Sequence, residues 1–313
     1  MNYAIVFPGQ GSQAVGMLSG HSDPLIARTF EEASAVLGWD LAALVRGGPA
    51  EELNRTERAQ PALLAAGIAV WRLWQRQGLP PPSALAGHSL GEYTALVAAG
   101  SLDFADALKL VEVRGQLMQA AVPAGTGGMV ALLGPEDEQA EALCKAYPGN
   151  EVLEPVNFNS PGQVVVAGEK LALEWLQANA KAYGVRKAVP LPVSVPSHCS
   201  LMREAAEKLA ERLAAVPLHS PVIPVTHNLD AATHREPDAI RRALKEQLYR
   251  PVRWTQSVRN LAAQGVMAFF ECGPGEVLAG LNKRIVKELA TVSLQDAAGL
   301  EKAVALLQPA EAV

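Results

Sequence analysis

Residues 83–92 read Ser83-Ala84-Leu85-Ala86-Gly87-His88-Ser89-Leu90-Gly91-Glu92, a short apolar run that stops at one glycine and resumes after another. The run predicts a buried strand over Ser83–Ala86 and a helix from Glu92, with G-x-S-x-G between them. In that setting the two glycines permit a tight strand-to-helix turn that lifts a serine hydroxyl into the open. That serine is Ser89. Outside this context a Gly-Ser turn carries no chemistry, so the flanking strand and helix are what give the motif weight.

Working outward, apolar runs bounded by turn residues alternate with helical patterns, the arrangement of a parallel sheet covered by helices. Met1–Phe7 is a first strand ended by Pro8-Gly9; it has no basic flank and is too short for a signal or membrane segment. Helices are expected over Pro24–Leu37 and Pro61–Gln77, closed by Gly38 and Gly78, and over a stretch capped by Asp103 that runs to about Ala121. The fold class is α/β.

At Pro123-Ala124-Gly125-Thr126-Gly127-Gly128 the rhythm changes. Strands are expected over Met129–Leu133, Val152–Asn157, Gln163–Ala167 and Val185–Val189, and helices over Pro135–Tyr147 and Leu171–Tyr183. That order is a split βαβ, or ferredoxin-like, α+β unit inserted in the larger body. Pro190, Pro192 and Pro196 mark the return, so residues 1–124 and 195–313 form the body and 125–194 the insertion. Helices over Leu201–Ala215, Pro237–Leu248 and Trp254–Gln264 then alternate with strands over Ile223–His227 and Val266–Glu271.

Composition narrows the function. With 49% hydrophobic residues among 313 the chain is not mainly disordered, and its length suits one large domain or two unequal ones. A net charge of -5 with 5% aromatics argues against a nucleic-acid binder. Cys144, Cys199 and Cys272 are widely spaced and signal neither a disulfide framework nor a zinc site. A cytoplasmic protein is expected.

A serine nucleophile needs a base, and His21, His88, His198, His219, His227 and His234 compete for the role. His88 adjoins Ser89, but neighbouring side chains at a strand end point to opposite faces. His198 follows the strand-like stretch Val189–Val195 and opens the helix containing Leu201–Ala215, where the helix terminus disfavours imidazolium. For a third member Asp103, Asp106, Asp137 and Glu154 are available without a distinctive setting, and a backbone carbonyl is the other option. Arg114 lies on the apolar stripe of Phe104, Leu108, Val111 and Met118 and should face inward, where a guanidinium needs a carboxylate from the protein or from a substrate. The turn Pro8-Gly9-Gln10-Gly11 lacks a nucleotide-binding spacing but has backbone N–H groups to offer an oxyanion. Cys272-Gly273-Pro274-Gly275 reads as a packing turn.

Phe7-Pro8-Gly9-Gln10-Gly11-Ser12-Gln13, Gly87-His88-Ser89-Leu90-Gly91-Glu92-Tyr93, Val113-Arg114-Gly115 and Val195-Pro196-Ser197-His198 together resemble the bacterial malonyl-CoA:acyl carrier protein transacylases. The similarity runs through Asn157–Gln163, Gln247-Leu248-Tyr249 and Gly273-Pro274-Gly275. The resemblance implies an α/β-hydrolase-like core with an inserted ferredoxin-like subdomain, Ser89 as nucleophile and His198 as base. It further implies that Arg114 binds the malonyl carboxylate, that the N–H groups of Gln10 and Leu90 form the oxyanion hole, and that the main-chain carbonyl of Gln247 orients the histidine. Malonyl-CoA, coenzyme A and acyl carrier protein are the implied partners, for fatty acid synthesis; no metal or cofactor, nucleic acid or membrane is implied, and a monomer is expected. Arg186, Lys187, Lys283, Arg284 and Lys287 are candidates for meeting the acidic carrier. Ser197 occupies a place where related polyketide domains often prefer methylmalonyl units, although the stand-alone malonyl enzymes share it. A related acyltransferase, a serine hydrolase and a non-catalytic docking module are the alternatives.

Overall fold

The computed structural model describes residues 1–123, 125–193 and 195–308. Its strands are β1 (Tyr3–Phe7), β2 (Ala84–Gly87), β3 (Gly127–Leu133), β4 (Leu153–Ser160), β5 (Gln163–Glu169), β6 (Lys187–Pro190), β7 (Val225–Thr226), β8 (Ala268–Glu271) and β9 (Ala290–Ser293). Helices α1 (Pro24–Leu37), α2 (Leu41–Gly47), α3 (Ala50–Leu53), α4 (Thr56–Gln75), α5 (Gly91–Ala98) and α6 (Phe104–Ala120) precede β3. They are followed by α7 (Asp137–Lys145), α8 (Lys170–Asn179), α9 (Arg203–Ala215), α10 (Pro237–Gln247), α11 (Trp254–Ala263), α12 (Val277–Ile285) and α13 (Ala297–Leu307).

Two sheets result. The larger, in the order β7-β2-β1-β8-β9, is parallel at every pairing, and β1 alternates strictly across it. Tyr3, Ile5 and Phe7 join the core that contains Trp71 and Trp74 of α4, whereas Ala4 and Val6 join the opposite core with Trp254, Val258 and Leu281. Both faces are therefore covered, as parallel sheets require. The α4 helix has sixteen of its twenty residues buried and runs through the middle of the first core.

The smaller sheet is antiparallel with the order β4-β5-β3-β6, and its chain order β3-α7-β4-β5-α8-β6 is the ferredoxin-like one. Ala124 and Ser194, where the boundaries of the insertion fall, lie outside the described residues. The fold is thus α/β with a hydrolase-like parallel core and a separate ferredoxin-like sheet.

Some boundaries differ from expectation. The helix expected from Pro61 begins at Thr56, because Pro61 sits within the helix rather than at its first position. The strand expected over Ile223–His227 shrinks to Val225–Thr226, since Pro221 and Pro224 cannot donate to a ladder. The stretch expected to be strand-like through Val195 keeps its pairing only to Pro190. The short helices α2 and α3 and the closing run α12-β9-α13 are additional elements.

Because β1 pairs with β2 on one side and β8 on the other, chain direction divides at β1, and the crevice beyond the carboxyl ends of β1, β2, β7 and β8 is where such sheets place their sites. The turns after those four strands carry Gln10, Ser89, Asn228 and Cys272 respectively.

Candidate active site

The turn after β2 is too tight for anything but hydrogen at its two glycines. A Cβ on Gly87 would fall 1.9 Å from the Gly91 carbonyl carbon, and one on Gly91 would fall 2.1 Å from the Phe7 oxygen. Ser89 between them has φ 51, in the left-handed region that non-glycine residues rarely occupy. Neighbouring groups hold it there. Asn228, just past β7, accepts from the Ser89 amide at 2.7 Å and donates to the Gly87 oxygen at 2.6 Å, bracing both sides of the turn.

Ser89 Oγ lies 2.7 Å from His198 Nε2, and His198 Nδ1 lies 2.7 Å from the main-chain oxygen of Gln247. A carbonyl only accepts, so the imidazole proton sits on Nδ1 and Nε2 presents its lone pair to the serine hydroxyl. His198 is buried and has φ 65, and its amide donates to the Leu248 oxygen at 3.1 Å. Its pKa is lowered to about 3, first by burial and then by the charge of Arg114; the Gln247 bond opposes this. The expected helix terminus is not the cause: a short 3-10 turn over Ser200–Met202 separates His198 from α9.

None of the four acids considered as a third member touches His198. Asp103 caps α6, Asp106 and Asp137 occupy the first turns of α6 and α7, and Glu154 accepts from the Ser200 amide and hydroxyl. A main-chain oxygen stands in their place.

Arg114 is 1% exposed on the inner face of α6, among Leu108, Val111 and Met118. Its Nη1 donates to Gln60 Oε1 at 2.7 Å, and its Nη2 to Gln247 Oε1 at 3.1 Å and to Ser89 Oγ at 3.2 Å. Its Nε has no hydrogen-bond partner among the described residues. Every partner is neutral, and no carboxylate among the described residues forms an ion pair with it. A buried cation in that state is costly and is relieved by an anion.

Gln10, Leu90 and Arg114 line one cleft with Ser89 and His198. Met129 of β3, Asn157 of β4, Leu191 and Val193 form its other wall, so the smaller sheet closes over the serine with a mainly apolar surface. The Cys272 turn contributes a buried thiol bonded to the Gly67 oxygen, in keeping with packing. Among the described residues no cluster suited to a metal ion occurs, and no helix is long and apolar enough to cross a membrane.

Sequence reasoning passed over Gln60 and Asn228, and it weighed His227 only as a candidate base and Glu92 only as part of the elbow motif. Glu92 did leave a signal, since it is a charged residue at the head of an otherwise mainly apolar helical run, whereas Gln60 follows Glu57 and Arg58 and does not stand out.

Residues 4–308 match the acyl transferase domain family. The malonyl CoA-acyl carrier protein transacylase of Salmonella typhimurium is 55% identical over 303 residues, 96% of this chain and 98% of that protein. The crystal structure of an acyl carrier protein S-malonyltransferase from Vibrio cholerae superposes with a TM-score of 0.94 at 56% identity, covering 97% of this chain and all of that one. A malonyl-transacylase solved in complex with a type II PKS acyl-carrier protein gives a TM-score of 0.96 at 52% identity, with 98% and 100% coverage.

Proposed function

The chain belongs to the acyl transferase domain family, and from that premise we propose that it moves a malonyl group from malonyl-CoA to the phosphopantetheine thiol of acyl carrier protein, supplying fatty acid synthesis. The observation that carries this reading is a serine–imidazole pair with a buried, carboxylate-free Arg114 donating to the same serine oxygen. A hydrolase needs the pair alone. The guanidinium beside it suits an acyl group that ends in a carboxylate.

In the first half-reaction Ser89 Oγ attacks the thioester carbonyl while His198 Nε2 takes the hydroxyl proton, and the tetrahedral species collapses to a malonyl-serine ester as the imidazolium returns that proton to the leaving thiolate, freeing coenzyme A. The N–H groups of Gln10 and Leu90, at the ends of β1 and the elbow, are assigned to the developing oxyanion, a contribution of roughly 3–4 kcal/mol. In the second half-reaction the carrier thiol gives its proton to His198 and its sulfur attacks the ester, regenerating Ser89. His198 is held neutral for both steps. The Gln247 carbonyl fixes its tautomer and stabilises the imidazolium that forms, as an acid would elsewhere.

The malonyl carboxylate pairs with Arg114, replacing neutral contacts by charge-assisted ones. Arg186, Lys187, Lys283, Arg284 and Lys287 are all exposed and remain the candidates for meeting the acidic carrier. A cytoplasmic monomer acting without metal or cofactor completes the reading.

Incubation with malonyl-CoA, with and without carrier protein, tests it: malonyl should appear on the carrier and not as free malonate. Intact-protein mass spectrometry should show one malonyl group on the wild type and none on Ser89→Ala. Hydrolysis without transfer, or an adduct on the alanine variant, refutes the assignment.

A further inference from the structure

One buried carboxylate stands behind the site without a part in the transfer steps. Glu92, 0% exposed in the first turn of α5, accepts from the Asn228 amide at 2.9 Å and from Gln247 Nε2 at 2.9 Å, and it meets His227 Nδ1 at 2.7 Å. The Gln247 carboxamide then spans the gap to Arg114, its Oε1 accepting from Nη2 at 3.1 Å. Its Nε2 also donates to the Ser89 main-chain oxygen at 2.9 Å.

The orientation of that amide is fixed. Turning it over would set its oxygen against two acceptors, Glu92 Oε2 and the Ser89 oxygen, and its NH₂ against the guanidinium donors. Unmade hydrogen bonds of this kind are expensive in a buried network. Three contacts prevent the flip, and the two that involve a charge, to Glu92 and from Arg114, are stronger than the neutral one to the Ser89 oxygen. A direct Glu92–Arg114 ion pair would occupy the guanidinium fork; an interposed amide keeps the carboxylate close and leaves the fork to a ligand.

We propose that Glu92 and the Gln247 side chain are positioning residues for acyl selection: Glu92 sets the polarity of the Gln247 amide, and the amide sets the guanidinium plane that receives the malonyl carboxylate. The inference rests on the transfer reading. It gives the Gln247 side chain a task separate from that of its main-chain oxygen, which serves His198.

Gln247→Met keeps the length, the main-chain oxygen and both neighbouring charges, and removes only the amide. The malonyl-to-acetyl ratio of kcat/KM should fall about 10-fold, because a small misplacement of a binding group costs rate steeply. The pH dependence of acetyl transfer should not move, since His198 keeps its carbonyl. Glu92→Asp retains the charge but is one methylene short of Gln247, and should shift the ratio the same way by about 3-fold; it decides the matter if the methionine variant does not fold. A parallel loss with both substrates, or an unchanged ratio in a folded variant, overturns the proposal. Malonyl transfer by the wild type in the same assay separates that failure from a failure of the transfer reading itself.

Discussion

His88 Nε2 lies 2.8 Å from Asn159 Oδ1, so the residue preceding the serine is bound to β4 of the smaller sheet. The carboxamide oxygen accepts, which places the His88 proton on Nε2, the opposite tautomer from His198. Burial lowers the pKa of His88, with the Asn159 bond opposing, and its ring packs against Trp254 at 5.7 Å between centroids. His88 is thereby a strut that joins the elbow to the sheet walling the cleft, and its partner leaves its Nε2 no role at Ser89.

Breaking this strut should slow both acyl groups alike. His88→Ala and Asn159→Ala are each expected to lower malonyl and acetyl transfer by about 10-fold and to cost about 1–2 kcal/mol of stability. The double variant should lose less than the sum, because the pair shares one contact. Additive losses, or a change in the malonyl-to-acetyl ratio, would show that the contact does not act this way.

What could be read from the sequence were the features written in local pattern. The elbow has its glycines, the α6 stripe carries Arg114 inward, and the strand-helix rhythm after Gly127 yields the ferredoxin-like order. Long-range polar partnerships have no such period. Asn228 reaches Ser89 across 139 residues of chain and Gln247 reaches Glu92 across 155, so only the sheet topology reveals them. The Gln247 carbonyl carries no side-chain signature at all, and it came from resemblance alone. Helix α13 was missed although Leu300, Ala303, Val304 and Leu307 recur at helical spacing and pack on the first core, because only Ala303 among them is fully buried.

Glu271 offers a test of stability away from the chemistry. Its buried carboxyl accepts from the amides of Leu278 at 3.0 Å and Ala279 at 2.7 Å, at the start of α12, yet burial outweighs these bonds and raises its pKa to about 7. A raised carboxyl contributes stability below its unfolded pKa and loses it as pH climbs through 7. Glu271→Gln cannot ionise and keeps one of the two bonds. It should be about 1 kcal/mol less stable than the wild type at pH 5, with the gap narrowing towards pH 8 in urea unfolding. A widening gap would contradict the sign.

Arg114 should set selectivity. Arg114→Lys keeps a charge but loses the planar fork, and is expected to weaken malonyl transfer. Arg114→Ala should lose more, about 2–5 kcal/mol in the malonyl kcat/KM, because the contact is buried. Acetyl-CoA has no terminal carboxylate and should be affected less. An unchanged ratio in folded Arg114→Ala would mean that the arginine serves its internal partners Gln60 and Gln247 and that selection lies elsewhere.

The same arginine should also be visible in the pH profile. His198 acts as a base only when neutral, so its activity persists above its pKa and is lost as pH falls through it; burial and the Arg114 charge hold that pKa at about 3. The wild type should therefore show no loss of kcat/KM from His198 between pH 8 and about pH 5. Removing the guanidinium deletes the second-largest cause of the depression and admits solvent, and both changes raise the imidazole pKa. The acid limb of acetyl kcat/KM in Arg114→Ala should accordingly move to higher pH. Stability follows the same linkage: a buried neutral histidine destabilises the fold as pH drops from the unfolded value near 6.5 towards 3, and the variant should show less of that loss. In the wild type a bound malonyl carboxylate offsets part of the Arg114 field, so the acid limb of kcat should lie higher with malonyl than with acetyl. An acid limb that stays in place, or moves down, in Arg114→Ala would remove Arg114 from the control of the base.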